Sequence, residues 1–217
     1  MEFVAAVIPA YNEAERIGDV LSAVCAVDEI AEIIVVSDGS TDGTAEVARK
    51  AGPKVKVLEL SSNQGKGAAL LAGVHATKAT ALVFLDADLV GLTPKHVRGL
   101  LRPVLTGGTL MAVAVFAQGR LATDLAQKIA PFLSGQRAVK RDLLESIPEL
   151  DVSRFGVEVA LTQYVHEQDI AVVHVPWHDV THVMKEEKLG LAKGFGARLK
   201  MYHEIISSLK LPRSRNK

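Results

Sequence analysis

The sequence predicts an α/β fold: one domain built on a mostly parallel sheet with helices on both faces. Three observations predict it. Short apolar runs of strand length alternate with amphipathic stretches through the first half of the chain. Several of these runs are apolar throughout, as strands buried on both faces are. Polar residues gather just after the runs, at the strand ends where ligands bind in sheets of this class.

Val4 to Pro9 is an apolar run ending at a turn and reads as a buried strand. Asn12 is placed to cap the next helix, where Ile17, Val20, Leu21 and Val24 make one stripe. Ile33 to Val36 is a second buried strand. Thr41 or Asp42 opens a helix that stops at Gly52 and Pro53. Lys54 to Leu60 alternates as a third strand, Gly67 to Ala76 is Ala-rich and helical, and Ala81 to Leu85 is a fourth strand. Thr93 followed by Pro94 caps a helix carrying Val97, Leu100, Leu101 and Val104. Leu110 to Phe116 is a fifth strand. The second half is less regular. Leu121 to Leu133 reads as helix, Ser134 to Arg137 as a polar break, and Val139 to Ile147 and Val157 to Val165 as helices. Ile170 to Val175 is a strand closed by Pro176 and Trp177, and Lys193 to Leu209 is a last helix. The domain is expected over residues 1–209. Residues 210–217, with Lys210, Arg213, Arg215 and Lys217, form a basic, loose tail.

At 217 residues, 48% apolar and 23% charged, the chain suits one soluble globular domain with a sizeable core. A formal net charge of zero lacks the basic excess of a nucleic-acid binder. Cys25 is the single cysteine, so no internal disulfide forms; it lies on an apolar helical pattern and reads as a small buried hydrophobe. That usage fits a reducing cytoplasm. Phe3 to Ala10 has no basic lead-in, and no run reaches the roughly 18 apolar residues of a membrane span. The tail is expected to give only weak, salt-sensitive attraction to anionic lipid, and a homodimer is allowed.

The strongest local signal is Asp86-Ala87-Asp88 after a hydrophobic strand. Such a pair either binds a hard divalent cation, magnesium or manganese, that also bridges diphosphate oxygens, or is a solvated or capping pair. Asp38 opens Asp38-Gly39-Ser40-Thr41-Asp42-Gly43, either a capped turn or an acid accepting hydrogen bonds from a nucleobase or ribose. Asn63-Gln64-Gly65-Lys66-Gly67 precedes a helix, where glycine backbone and a helix N-terminus suit a phosphate, although the full phosphate-loop spacing is absent. Glu158 lies among apolar neighbours and must be a structural partner or a tuned base. Arg137 and Lys140 either hold an anionic acceptor or form a solvated basic turn. His174, His178 and His182 recur every four residues, but Pro176 favours a strand and loop over one helical face. His182 precedes an exposed charged stretch, where it could close over a site and complete a metal shell. A zinc pattern is excluded for want of a second cysteine.

In order, Pro9-Ala10-Tyr11-Asn12-Glu13, Val36 to Thr44, Asn63 to Gly67 and Asp86-Ala87-Asp88 resemble the family 2 glycosyltransferases of the GT-A (Rossmann-like) fold over roughly residues 3–200. Within that family the chain is similar to soluble relatives of dolichyl-phosphate mannose synthase. Ser134-Gly135-Gln136-Arg137, Phe155-Gly156-Val157-Glu158 and His182 before Met184-Lys185-Glu186-Glu187 are also similar to glucosyl-3-phosphoglycerate synthase. The resemblance implies a metal-dependent enzyme that moves a sugar from a UDP- or GDP-sugar to an acceptor, a phosphate-bearing lipid or small molecule. It implies that Pro9, Ala10, Tyr11 and Glu13 line the nucleotide pocket, and that Asp38, beside Gly39, binds the base. Lys66 would lie near the phosphates, Asp86 with Ala87 would face the ribose or sugar, and Asp88 and His182 would hold the ion. Gly135, Gln136 and Arg137 would meet the acceptor, and Glu158 would act as base for a hydroxyl acceptor. Two rivals are a sugar-phosphate nucleotidyltransferase and a non-catalytic nucleotide-binding module. Tyr11-Asn12-Glu13 stands where the former carries a Gly-rich, Arg-containing loop, and the intact acid pair argues against the latter.

Overall fold

The computed structural model describes residues 2–117, 134–148, 150 and 156–182, with only the backbone of His182. Its main element is a seven-stranded sheet in the order β3-β2-β1-β4-β7-β6-β8. These are β1 Val4–Ala10, β2 Glu32–Asp38, β3 Val55–Leu60, β4 Ala81–Phe84, β6 Met111–Phe116, β7 Arg137–Lys140 and β8 Val172–Trp177. A second, two-stranded sheet joins β5 Leu89–Val90 to β9 Thr181–His182. The helices are α1 Ile17–Cys25, α2 Thr44–Lys50, α3 Lys66–His75, α4 Pro94–Leu105, α5 Arg141–Glu145 and α6 Val157–Glu167. The described residues through Thr181 belong to one compact unit; residues 182–217 make a second. The expected helices at 121–133 and 193–209, and the tail at 210–217, lie outside the described residues.

Pairing is parallel for β1 with β2 and β4, for β2 with β3, and for β6 with β8. Only β7 runs against its neighbours β4 and β6. The sheet is therefore mostly parallel, as the alternation of elements predicts. Period-two alternation splits β1 between two cores: Val4, Ala6, Ile8 and Ala10 pack on one face and Val7 on the other. The first face takes the α1 stripe Ile17, Val20, Leu21 and Val24 and the α4 stripe Val97, Leu100, Leu101 and Val104. The second takes Ala69, Leu70 and Val74 of α3, Leu143 and Leu144 of α5, and Val157, Leu161 and Val165 of α6. Each fully buried aliphatic side chain contributes about 1.5–3 kcal/mol, so these stripes are what fasten the helices to the sheet. Gly73 lets α3 lie directly on Val7 and Val36, because a Cβ there would overlap Val7 Cγ1.

Several local expectations are corrected. Asn12 does not cap α1, which starts only at Ile17; it adopts φ 55° and its Oδ1 accepts the Thr41 N–H at 2.9 Å. Residues 139–147 are not one helix. Val139, Leu143, Leu144 and Ile147 share one core cluster, which mimics a helical stripe, but Ala138 and Val139 bury on opposite faces of a central strand. The polar break is shortened accordingly, since Arg137 is already in β7. Pro176 and Trp177 lie inside β8, where proline is tolerated because the strand is at the sheet's edge. Thr93 does cap α4, and its N–H donates to the ring nitrogen Nδ1 of His96 at 3.2 Å. Cys25 is half-buried, with its thiol turned to the Ala51 carbonyl, and burial raises its pKa.

Candidate active site

Because β1, β2 and β4 are parallel, the residues after them leave from one edge of the sheet: Tyr11–Ala14, Gly39–Thr44 and Asp86–Asp88. The reversed β7 begins where β4 ends, Arg137 opposite Phe84, so Ser134–Gln136 reach the same edge. The topology thus gathers four of the segments that the sequence singles out.

Two of these segments are zipped together. The N–H groups of Glu13 and Ala14 donate to Thr44 Oγ1 at 2.9 Å and Asp42 Oδ2 at 3.1 Å, and Asp42 Oδ1 accepts the Thr44 N–H at 2.9 Å. Asp42 therefore ties the start of α2 to the loop after β1, one residue ahead of the cap itself. Asp38 is buried at 3% exposure, as the last residue of β2. Its Oδ1 and Oδ2 accept the N–H groups of Gln64 and Gly65, both at 2.8 Å. Gly39 (φ 66°) permits this, because a side chain there would run into the Ser62–Asn63 backbone. Asp38 so fixes the turn that launches α3. Tyr11 stands exposed at this rim, while Pro9, Ala10 and Glu13 are buried beneath it.

The turn fastened by Asp38 delivers Lys66 as the first residue of α3, after Gly65 at φ 92°. A cation there opposes the helix dipole and needs compensation. Lys66 Nζ receives it from Asp86 Oδ1 at 2.5 Å and Glu158 Oε1 at 3.0 Å. Burial alone would pull the Lys66 ammonium down, but the Asp86 and Glu158 carboxylates outweigh it and raise its pKa above the ordinary lysine value. Glu158 arrives on the first turn of α6, whose dipole favours it. The two helix starts touch backbone to backbone: a Cβ on Gly67 would lie 2.7 Å from Gly156 Cα. Asp86 is gripped on its other side by Gln136, whose Nε2 donates to Oδ2 at 2.7 Å and whose Oε1 accepts the Asp86 N–H at 2.9 Å. Gly135 closes the cluster; a Cβ there would be 2.5 Å from both Lys66 Nζ and Glu158 Oε1 and 3.3 Å from Asp86 Oδ2.

Arg137 is neither a solvated basic turn nor presented to an acceptor. At 1% exposure, its Nη1 donates to the Glu158 carbonyl at 2.7 Å and Thr162 Oγ1 at 3.1 Å, and its Nη2 to the Ser134 carbonyl at 2.5 Å. Burial lowers its pKa, against the pull of Glu158 and Asp86. It braces α6 against the start of β7. Lys140 is at the wrong end of β7, opposite Ala81, where it pairs with Glu2. His174 and His178 are exposed, on β8 and just after it, not on one helical face. Asp88 is half-buried on the loop between β4 and β5, and Ala87 beside it is buried. The segment before His182 returns to this loop, since the Asp179 carbonyl packs on Gly91. The side chain of His182 lies outside the described residues. Among the described residues, no group of three or more His, Cys, Asp or Glu side chains forms a ready-made metal shell. An oxygen donor at Asp88 nonetheless has the hard-ligand chemistry that magnesium and manganese require. Sequence reasoning does not reach the contact of Gln136 with Asp86, because it joins residues 50 positions apart.

The glycosyl transferase family 2 pattern matches residues 5–153. Glucosyl-3-phosphoglycerate synthase of Mycobacterium tuberculosis is 29% identical over 193 residues, which cover 73% of this chain and 59% of that protein. Its counterpart in Mycolicibacterium smegmatis is 31% identical over 190 residues, covering 73% and 62%. Dolichyl-phosphate beta-glucosyltransferase of Drosophila melanogaster is 40% identical over 96 residues, 38% of this chain and 29% of that one. The chain thus spans about three-fifths of the length of the mycobacterial relatives it matches. The crystal structure of the M. tuberculosis synthase with Mn2+, UDP and glucosyl-3-phosphoglycerate superposes with a TM-score of 0.78 at 28% identity, covering 98% of this chain and 82% of that one. The same fold, the four motif segments on one edge of the sheet and a family match over most of the chain lead to one assignment: this protein belongs to glycosyltransferase family 2.

Proposed function

We propose that this chain transfers a sugar from a nucleotide-diphosphate sugar, with UDP as the nucleotide, to a small phosphate-bearing acceptor. The observation that carries this reading is the Lys66–Asp86–Glu158 cluster beside Asp88 at the carboxyl edge of the sheet. Support comes from the M. tuberculosis synthase, which holds Mn2+ and UDP in one structure and UDP-glucose with glycerol 3-phosphate in another.

Asp88 and His182 would hold the divalent ion, Mn2+ or Mg2+, which when bound neutralises charge developing on the departing diphosphate. Pro9, Ala10, Tyr11 and Glu13 would line the nucleotide pocket with Asp38 and Gly39 at the base, and Asp86 with Ala87 would face the ribose and sugar. Lys66 is within reach of two carboxylates. A diphosphate entering beside it would draw the ammonium away from Glu158 and leave that carboxylate to accept a proton. A hydroxyl acceptor needs this base, whereas an already ionised phosphate oxygen does not. The acceptor would lie next to Gly135, which brings no side chain of its own. Cytoplasmic location, homodimer formation and weak contact of the 210–217 tail with anionic lipid remain part of this reading. Among the described residues, no helix is long and apolar enough to cross a membrane.

Titration calorimetry of UDP and GDP, with and without Mn2+, tests the assignment. Wild type is expected to bind UDP more tightly with Mn2+ and Asp88→Ala to lose that enhancement; in a separate assay of UDP release, loss of the transition-state contact should lower turnover on the order of 100-fold. Equal binding with and without the ion, in both proteins, would remove the proposed centre.

A further inference from the structure

We propose that Gln136 is a positioning residue of the donor site, acting through Asp86, and not an acceptor contact. The inference rests on the donor reading above. Three features of the structure carry it.

First, both ends of the Gln136 amide are committed to one residue. Oε1 accepts the Asp86 backbone N–H at 2.9 Å and Nε2 donates to Asp86 Oδ2 at 2.7 Å. The orientation of the amide is not arbitrary. A backbone N–H can be met only by the carbonyl oxygen and a carboxylate only by the NH2 group, so the flipped amide would fail at both contacts. Second, Gln136 is 1% exposed, which leaves little of it for a small molecule to touch. Its own N–H is turned to Ser134 Oγ at 3.3 Å. Third, the residue is held by the sheet itself. It immediately precedes β7, whose Arg137 is in register with Phe84, two residues before Asp86. The loop after β4 and the approach to β7 are thereby stitched into one unit at the reacting edge.

With Oδ2 on Gln136 and Oδ1 on Lys66, the Asp86 carboxylate has each oxygen engaged. Its rotamer is set before any ligand arrives. This divides the labour of the acid pair: Asp86 presents a fixed edge to the ribose and sugar, while Asp88 serves the ion. Met at position 136 keeps the length and apolar stem of glutamine and deletes both bonds. Glu keeps the shape but sets a second carboxylate against Oδ2 and cannot donate to it.

The experiment is calorimetric titration of UDP-glucose with Mn2+ into the full chain as wild type, Gln136→Met, Gln136→Glu, Asp86→Ala and Asp86→Ala/Gln136→Met, with thermal melting of each. Loss of a hydrogen bond to a charged group predicts affinity weakened about tenfold or more in Gln136→Met and further in Gln136→Glu. In the Asp86→Ala background, Gln136→Met should change affinity less than twofold. In steady state, the KM for UDP-glucose should rise while the KM for phosphoglycerate stays within about twofold. Wild-type affinity in both Gln136 variants overturns the inference and leaves the donor reading intact, as does an undiminished loss in the Asp86→Ala background. A rise confined to the phosphoglycerate KM returns Gln136 to the acceptor and also overturns it. A wild-type chain that binds no UDP-glucose overturns the donor reading and this inference together. Should Gln136→Met melt below the assay temperature, the isosteric Gln136→Glu decides on the same criteria.

Discussion

Gly135→Ala separates stability from chemistry. The new methyl would begin 2.5 Å from both Lys66 Nζ and Glu158 Oε1, whereas ordinary contact starts near 3.4 Å, so each must retreat by roughly 1 Å. Both atoms are the far ends of flexible side chains, and the Gly135 backbone is outside the left-handed region that would penalise alanine. Folding should therefore be affected little. Alanine narrows the unfolded ensemble by about 0.4–1 kcal/mol, which offsets part of the lost ion-pair energy. Chemistry has no such relief. Displacing catalytic groups by about 1 Å can cost on the order of 100-fold in rate. The assay pairs thermal melting with UDP release from UDP-glucose, using phosphoglycerate as acceptor. The expected result is a melting temperature within about 2–4 °C of wild type, equivalent to about 1 kcal/mol in a chain of this size, with turnover reduced 10- to 100-fold. Wild-type turnover would show that the geometry around Gly135 is immaterial to the reaction. A melting temperature lowered by 10 °C or more would show that the crowded atoms cannot move aside.

Two further outcomes concern stability alone. Gly73→Ala drives a methyl into Val7 Cγ1 and to 3.2 Å from Val36 Cγ2, an overpacking expected to destabilise by about 1–3 kcal/mol in urea unfolding while UDP binding persists. Glu32 is 7% exposed, and although burial pushes its pKa up, hydrogen bonds from Lys56 and Thr77 outweigh that and hold it below the ordinary 4.5. A depressed carboxylate stabilises the fold above its unfolded value and loses that contribution as pH falls through the folded one, so wild type should exceed Glu32→Gln by about 1 kcal/mol near pH 6, with the gap closing toward pH 3. A gap that widens on acidification would reverse the assignment.

The parallel half of the sheet was legible because its strands announce themselves. Val4 to Pro9 and Ala81 to Leu85 are apolar runs bounded by turn residues, and α4 shows both its cap and its stripe. The strand Arg137–Lys140 was hidden because two adjacent apolar residues, one for each face, carry no period. The site was half legible. Asp86, Lys66 and Glu158 were each singled out, yet nothing local says that an acid from residue 86 and another from residue 158 meet at one ammonium. That meeting depends on register and on the Gly67–Gly156 approach, both of which are tertiary. Arg137 was hard to read for a related reason. Polar residues after a break look solvated until a reversed strand carries them inside.

The reversal at β7 bears on how the protein is made. Strands β1 to β4 lie within the first 84 residues and can pair as soon as they leave the ribosome, so a nascent chain brings the loops after β1 and β2 together early. β6 and β8 cannot join them directly, because β7 is the splice between the two groups. Until residue 140 has been synthesised, β6 has no strand through which to join the sheet, and Gln136 is not yet held beside Asp86. Glu158 follows on α6 and β8 later still, so every residue of the Lys66–Asp86–Glu158 cluster is made before the strand that completes the sheet.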